Sequence, residues 1–288
     1  MYTRMKHLLL PSLLLCGALL AACSQKAAQT STSEPESVVT DSTQVLLEDG
    51  TPVTWLQDNQ GHRLMERSLF PEASDSLFEA LGLQEGGPSS VSTFLMQSDG
   101  EWVLFDAGLG AANGGQLLLK LAERGLTPDS ISIVYLTHFH FDHIGGMLDA
   151  EMKPTFPQAE VYAGAVEYDA WIHQMPADQN AMQRLVMEAY EPHLHLYQFG
   201  DTLPHGVIAL DAIGHTPGHT AFRKSNLLVI GDLMHGAALQ LVHPEISVNF
   251  DMDKAQAAQS RQRILQLAAD EHLLMAGMHL PEPAFIQE

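Results

Sequence analysis

Six consecutive positions near the middle of the sequence hold four potential metal ligands, His138, His140, Asp142 and His143. They follow a continuous apolar run, Ile131–Leu136, which predicts a buried strand. Side chains two positions apart in an extended chain point the same way, so His138 and His140 are expected side by side. Imidazole and carboxylate groups at the end of a strand are typical of a metal site.

Three further candidate ligands also follow predicted strands or turns. His219 ends the run Gly-His-Thr-Pro-Gly-His, Asp232 follows an apolar run, and His279 follows the last predicted strand. Together these residues exceed the four ligands of one tetrahedral ion, so the sequence predicts two divalent ions. We expect Zn²⁺, with Mn²⁺ or Fe²⁺ as alternatives. His215 is predicted to be structural, and His235 is predicted to stand outside the ligand set.

The elements that position these residues alternate between strands and helices, which predicts an α/β or α+β fold with sheets covered by helices. Short apolar runs predict the strands, and amphipathic spacing predicts the helices. The predicted strands are Val91–Met96, Trp102–Phe105, Ile131–Leu136, Ala159–Ala163, Leu227–Ile230 and Leu273–Ala276. The predicted helices are Gln116–Arg124, Ala165–His173, Ala181–Ala189 and Ala255–Ala269.

The composition excludes several other kinds of chemistry. Both cysteines, Cys16 and Cys23, lie in the first 23 residues, so the folded body would hold no disulfide, cysteine nucleophile or cysteine-ligated zinc. No G-x-S-x-G segment is present to supply a serine nucleophile. The formal net charge of −21 opposes binding to phosphate backbones, and we expect no nucleic-acid partner.

The beginning of the sequence predicts a lipid-anchored envelope protein. A basic start precedes the apolar run Leu8–Leu20, and small residues stand just before Cys23, a pattern that resembles a bacterial lipobox. We therefore expect a signal peptide over 1–22, lipidation of Cys23, a flexible tether over 23–44 and one folded domain over 45–288. Ser24 after the cysteine resembles an outer-membrane sorting signal, which implies a location facing the periplasm.

The ligand pattern resembles that of the metallo-β-lactamase superfamily. The turn Phe105–Gly108 resembles a turn of that family, and the resemblance can be followed from about residue 90 to residue 281. Within the superfamily, Gly231–His235 and the helix that carries Arg261 resemble the branch of methyl parathion hydrolase and lactonase-like hydrolases. The resemblance implies a metal-dependent hydrolase with an αββα sandwich fold, and the branch is often dimeric.

The resemblance also implies a role for each ligand. His138, His140 and His219 would hold one ion, Asp142, His143 and His279 would hold the other, and Asp232 would bridge them. Two such ions lower the pKa of a shared water from about 15.7 towards about 7, and the hydroxide attacks an electrophilic carbon or phosphorus. Asp142 is the expected catalytic residue, because it can orient this nucleophile and pass its proton to the leaving group.

The expected substrate is a small ester-type molecule. A lactone such as an acyl-homoserine lactone is one candidate, and an organophosphate triester is the other. Phe139, Phe141 and Trp171 are predicted to line the substrate pocket, and Asp106 is a candidate partner for a ligand histidine.

Two other readings stay open. The first is a thioester or β-lactam hydrolase of the same superfamily, although the most common β-lactamases use a cysteine ligand that this chain lacks. The second is a non-catalytic envelope lipoprotein that binds zinc, which the full set of seven candidate ligands disfavours.

Overall fold

Two β-sheets form the centre of the computed structural model, which describes residues 39–41 and 43–287. The predicted signal peptide, the predicted lipidation site at Cys23 and most of the predicted tether lie outside the described residues. The strands are β1 (Val39–Asp41), β2 (Gln44–Leu46), β3 (Pro52–Gln57), β4 (Arg63–Met65), β5 (Gly87–Ser89), β6 (Ser92–Ser98), β7 (Glu101–Phe105), β8 (Ile131–Tyr135), β9 (Glu160–Gly164), β10 (Leu194–Tyr197), β11 (Thr202–Leu203), β12 (Val207–Asp211), β13 (Thr220–Lys224), β14 (Leu227–Gly231), β15 (Leu274–Gly277) and β16 (Phe285–Ile286).

Helices connect these strands. The longest helix begins at Lys254 and is capped by the preceding Asp253, whose side chain accepts a hydrogen bond from the amide of Gln256. A π-helical turn, Asp169–Gln174, continues the fourth helix. No helix in the described part of the chain combines the length and apolarity needed to cross a membrane. The α-helices are α1 (Asp75–Ala80), α2 (Leu117–Ala122), α3 (Phe141–Ile144), α4 (Ala165–Tyr168), α5 (Ala181–Ala189), α6 (Ala237–Gln240) and α7 (Lys254–Asp270).

The larger sheet has the strand order β1-β2-β3-β6-β7-β8-β9-β10, and the smaller has the order β11-β12-β13-β14-β15-β16. Strands β7 to β10 run parallel in the larger sheet, as do β14 and β15 in the smaller sheet. Strands β4 and β5 form a separate two-stranded sheet. The polar segments after β8, β14 and β15 are therefore positioned by strands of both sheets.

Alternation along the strands creates two hydrophobic layers. On β7, Val103 and Phe105 pack with Phe222 and Met275 of the smaller sheet, whereas Leu104 belongs to a separate cluster on the opposite face. This is the two-residue period of a strand that is buried on both faces. Helices cover the outer faces, because α7 packs in the first cluster while α2 and α5 pack in the second. The predicted αββα sandwich is confirmed.

A short edge strand lies near the end of the predicted tether. Residues 39–41 form β1 and pair in antiparallel fashion with β2, where Val39 lies opposite Val45. This short strand falls within the range 23–44 that was predicted as the tether. Strand β1 contains only three residues and pairs through its backbone at the edge of the sheet, so the amino-acid sequence carries no pattern that predicts it.

Candidate metal centre

The first group of ligand atoms joins the segment after β8 to the loop between β12 and β13. The Nε2 atom of His138 lies 3.1 Å from Nδ1 of His140, and this Nδ1 atom lies 2.9 Å from Nε2 of His215. His215 Nε2 in turn lies 3.2 Å from Oδ2 of Asp232. These four side chains offer ligand atoms within 4.8 Å of one another, a spacing that could hold one ion.

The second group consists of Asp142, His143 and His279, whose ligand atoms also lie within 4.8 Å of one another. Asp232 contacts both groups. Its Oδ1 atom lies 3.0 Å from Nε2 of His143, and its Oδ2 atom lies 3.1 Å from Nε2 of His279 and 3.7 Å from Nε2 of His138. The position of Asp232 between the two groups agrees with the bridging role that the resemblance implies.

The structure brings His215 into the first group of ligand atoms, and the predicted ligand His219 lies beside that group, with 5.1 Å between its ring centroid and that of His138. Both ring nitrogens of His219 are occupied by the main chain: Nδ1 lies 2.8 Å from the carbonyl oxygen of Ala212, and Nε2 accepts a hydrogen bond from the amide of Asp232. His219 therefore supports the backbone beneath Asp232. His215, which was predicted to be structural, places its Nε2 atom next to both His140 and Asp232 and is a second candidate ligand for the first ion.

Buried partners orient the ligand histidines. Oδ2 of Asp106 accepts hydrogen bonds from the hydroxyl of Thr137 and from Nδ1 of His143, at 2.7 Å each. The Nδ1 atom of His279 donates to the carbonyl oxygen of Ser90. Such partners fix which ring nitrogen faces the metal. Asp106 thus occupies the supporting position that was predicted for it.

Burial and charge set the protonation of the ligands. Burial lowers the pKa of His138 well below its ordinary value, and it lowers the pKa of His140 to about 3. These imidazoles are neutral and keep the lone pair that a metal requires. Burial also lowers the pKa of His279, but the nearby carboxylate of Asp232 outweighs it and raises the pKa to about 10. This end of the centre therefore favours positive charge, which a proton supplies when no metal is bound.

Two buried atoms without hydrogen bonds show that the residues fit a metal. Nε2 of His143 and Oδ1 of Asp232 are both buried, make no hydrogen bond among the described residues and lie 3.0 Å apart. Burial lowers the pKa of His143, but the carboxylates of Asp232 and Asp106 outweigh it and raise the pKa well above its ordinary value. A proton therefore lies between the two facing atoms in the metal-free protein, and a divalent ion that displaced it would take this place.

A cavity of about 400 Å³ opens over both ligand groups. Phe141 lines it and is 41% exposed, as predicted for a pocket residue. Phe139 and Trp171 do not line it, which contradicts the prediction for both. Phe139 is completely buried in the core beneath the larger sheet, and Trp171 is 7% exposed in the same core, with its ring against His140. Phe250 provides a second aromatic wall that the sequence analysis did not identify.

Glu167 connects the two ligand loops and was not identified from the sequence. One carboxylate oxygen accepts hydrogen bonds from the amide of Phe139 and the indole of Trp171. The other accepts from the hydroxyl of Thr216 and the amide of Gly218. A Cβ atom at Gly218 would lie 2.1 Å from the amide nitrogen of Glu167, so only glycine permits this approach. Most of these partners lie far from Glu167 along the chain, so no local sequence motif predicts its role.

His235 was predicted to stand outside the ligand set, but it lies against the centre. Its Nε2 atom is 3.1 Å from Oδ2 of Asp232, and its ring stacks on His279 with 4.8 Å between the ring centroids. It also lines the cavity. His235 stands only three residues after the predicted ligand Asp232, at the end of β14, and this proximity in the sequence could have indicated its place beside the centre.

Comparison with known proteins agrees with this geometry. Residues 86–279 match the family model described as the metallo-beta-lactamase superfamily. A probable metallo-hydrolase, YqgX of Bacillus subtilis (strain 168), is 29% identical over 51% of this chain and 68% of its own length. An N-acyl homoserine lactonase of Bacillus thuringiensis is 28% identical over 44% of this chain, which spans 54% of that protein. Hydroxyacylglutathione hydrolase of Edwardsiella ictaluri (strain 93-146) is 28% identical over 60% of this chain, which spans 55% of that protein.

Solved structures show the same fold over most of the chain. AidC, described as a dizinc quorum-quenching lactonase in complex with a homoserine product, aligns with a TM-score of 0.75 and 26% identity. The alignment covers 84% of this chain and 91% of AidC. The hydrolase AbOPH aligns with a TM-score of 0.74 and 24% identity over 85% of this chain and 92% of its own, and this likeness concerns the fold alone.

Proposed function

Because this chain belongs to the metallo-β-lactamase superfamily and is a metal-dependent hydrolase, we propose that its two ligand groups hold two divalent ions and that it hydrolyses a lactone. The observation that carries the proposal is the position of Asp232, which contacts His143 and His279 on one side and His138 and His215 on the other. Zinc is the proposed metal, since nitrogen and carboxylate ligands in such groups suit it.

The ligand residues would divide between two ions. His138, His140 and His215 would hold the first, and Asp142, His143 and His279 the second. Two ions so placed would supply an activated water and polarise the carbonyl of the substrate. Proton transfer and substrate positioning would depend on side chains of the protein.

Asp142 is the residue we assign to proton transfer. Its side chain is about 25% exposed, lines the cavity and lies 3.4 Å from Nε2 of His279. Burial raises the pKa of Asp142, but the neighbouring His143 and His279 outweigh it and hold the pKa below its ordinary value. The carboxylate is therefore ionised at neutral pH and can accept a proton from the attacking water before it passes that proton to the leaving alkoxide.

The cavity suits a small ester with an apolar part. Phe141 and Phe250 form exposed aromatic walls beside the ligand groups, and Met65 adds a third apolar surface. These side chains would position the acyl part of the substrate while the ring carbonyl faces the metal centre. A lactone with an acyl chain fits a cavity that has an apolar wall on one part and the metal ligands on another. Hydrolysis of a methyl phosphotriester would be a side activity of the same site.

The test compares the rates at which the zinc-loaded protein hydrolyses a homoserine lactone and a methyl phosphotriester. We expect a kcat/KM of about 10⁴ M⁻¹s⁻¹ or more for N-hexanoyl homoserine lactone, in the ordinary range for an enzyme, and a smaller value for the phosphotriester. Asp232→Ala should abolish the lactone rate, whereas Asp178→Ala, the same change at an exposed position, should leave it unchanged. No lactone opening by a chain that holds two zinc ions would reject the proposal.

A thioester hydrolase is the second candidate, because hydroxyacylglutathione hydrolase is among the relatives. A glutathione thioester serves as a third substrate in the same assay. A thioester rate above the lactone rate, lost in Asp232→Ala, would favour this candidate.

We further propose that the chain is lipidated at Cys23 and held at the outer membrane, facing the periplasm. The support is the sequence pattern before Cys23, which lies outside the described residues. Labelling of cells with a radioactive fatty acid should mark the protein, and Cys23→Ser should remove the label. An unlabelled wild-type chain would contradict the anchor. Gel filtration of the detergent-solubilised protein would show whether it forms the homodimer that is common in the branch.

A further inference from the structure

One cation beside the metal centre has no polar partner. Among the described residues, Arg63 is the only lysine or arginine whose head group makes neither a hydrogen bond nor an ion pair. Elsewhere, even exposed cations are paired, as Lys153 is with Glu151 and Arg67 is with Asp75. Since the chain has 35 acidic residues against 14 basic ones, an arginine without a partner is unexpected.

The backbone places this side chain at the cavity. Arg63 begins β4, which pairs with β5 so that Arg63 lies opposite Ser89. Side chains two positions apart on a strand share a face, and Met65 on the same face is buried and also lines the cavity. Leu64 between them is 52% exposed on the other face. Arg63 is half-buried and belongs to the wall of the cavity that holds the ligand groups.

The surrounding charges leave the guanidinium available. Asp142 and Asp232 line the same cavity, but both belong to the ligand groups and neither pairs with Arg63. Glu282 borders an adjoining cavity of about 490 Å³ that Arg63 also lines, and no ion pair joins these two described residues. Among the described residues that line the cavity over the metal centre, Arg63 is thus the one permanent cation.

A guanidinium presents paired N–H donors in a planar fork that matches the two oxygens of a carboxylate. A phosphate monoester carries a charge of nearly −2 at neutral pH and would require further donors. Arg63 shares this wall with the apolar side chains Met65, Phe141 and Phe250, and a single guanidinium matches a singly charged group. The cavity therefore combines the candidate metal centre, an apolar wall and one site for an anion.

We propose that Arg63 determines specificity by binding a carboxylate on the non-reacting part of the substrate. This inference rests on the proposed function and narrows it, because the preferred substrate becomes a lactone or small ester whose acyl chain carries a carboxylate. The role is one of substrate positioning at the wall of the cavity, and it leaves the ligand groups to act on the scissile bond.

The test uses two homoserine lactones that differ only at the end of the acyl chain. One carries an adipoyl chain that ends in a carboxylate, and the other carries the neutral carboxamide of the same length. For the zinc-loaded full chain we expect a higher kcat/KM for the carboxylate. Arg63→Met, which keeps much of the side-chain length, should lower that value by a factor of about 10 to 100, mainly through KM, and should change the carboxamide value less than about threefold.

Two controls separate charge from folding. Arg124→Met removes the same charge at a site that does not line this cavity, and we expect both rates to stay unchanged. The thermal midpoint and zinc content of Arg63→Met should equal those of the wild type. Free adipate should raise the thermal midpoint of the zinc-loaded wild type and should lose this effect in Arg63→Met, which measures binding without turnover.

The outcomes separate the two proposals. Equal losses on both lactones in Arg63→Met, or equal adipate binding by wild type and variant, would overturn the role of Arg63 while lactonase activity stands. A wild type that opens neither lactone but binds adipate through Arg63 would reject the lactonase proposal and support the anion site.

Discussion

The Nδ1 atom of His215 lies 2.9 Å from Oδ1 of Asp251, and this contact turns the opposite nitrogen of the ring towards Asp232. Asp251 is itself held by the buried guanidinium of Arg261, at 3.2 Å. Burial raises the pKa of Asp251, but the hydrogen bond with His215 outweighs it and holds the pKa below the ordinary value. A carboxylate that receives the proton of one ring nitrogen leaves the other free to bind a metal.

The first prediction distinguishes His215 from His219 by metal content. His215→Ala should reduce bound zinc from about two ions to about one per chain, because it removes a ligand of the first group. His219→Ala should retain both ions but lower the free energy of unfolding by about 1–3 kcal/mol, since the amide of Asp232 loses its buried acceptor. Zinc is measured by mass spectrometry after gel filtration, and stability by urea unfolding.

The two variants serve as controls for each other, because the same side chain is removed four positions apart. Loss of one zinc ion in His219→Ala with full occupancy in His215→Ala would show that the ligand first expected from the sequence is the right one.

The sequence predicts the ligand types, but no local pattern of residue types separates His215 from His219. Both precede threonine in the run Gly-His-Thr-Pro-Gly-His-Thr, so residue type and local spacing are the same for each. The difference comes from Asp251, which lies 36 positions further along the chain, and from the carbonyl of Ala212. By contrast, β8 and the ligands after it were predictable, because a continuous apolar run and a histidine cluster are both local patterns.

The second prediction concerns Glu167, whose two carboxylate oxygens accept four hydrogen bonds from the ligand loops and their surroundings. Glu167→Gln places an NH₂ group opposite two buried donors. Each unsatisfied donor costs about 1–3 kcal/mol, so we expect a loss of about 2–6 kcal/mol in the free energy of unfolding and weaker zinc binding. Glu188→Gln, the same change at an exposed position, should alter stability by less than about 0.5 kcal/mol.

The effect of Glu167→Gln should also depend on pH. Burial raises the pKa of Glu167 above its ordinary value of 4.5, although the four hydrogen bonds oppose the rise. The folded state therefore binds the proton more tightly than the unfolded state, and the contribution of this group falls as the pH rises through the folded pKa. Urea unfolding of the metal-free proteins should thus show a larger gap between wild type and variant at pH 4 than at pH 7. A gap that grows with pH would mean that the hydrogen bonds outweigh burial.

The third prediction separates Phe139 from Phe141, two aromatic residues that the sequence analysis treated alike. In this segment the side chains alternate, so that Phe139 is completely buried between the larger sheet and α5 while Phe141 is 41% exposed over the metal centre. Phe139→Ala should lower the free energy of unfolding by about 3–5 kcal/mol, because it leaves a cavity in the core. Phe141→Ala should change stability by less than about 1 kcal/mol and should raise the KM for N-hexanoyl homoserine lactone several-fold, since it removes apolar wall from the substrate cavity.

The two measurements are urea unfolding and steady-state kinetics on the zinc-loaded proteins. A stable Phe139→Ala with a raised KM, beside an unchanged KM in Phe141→Ala, would reverse the assignment and place Phe139 in the substrate cavity.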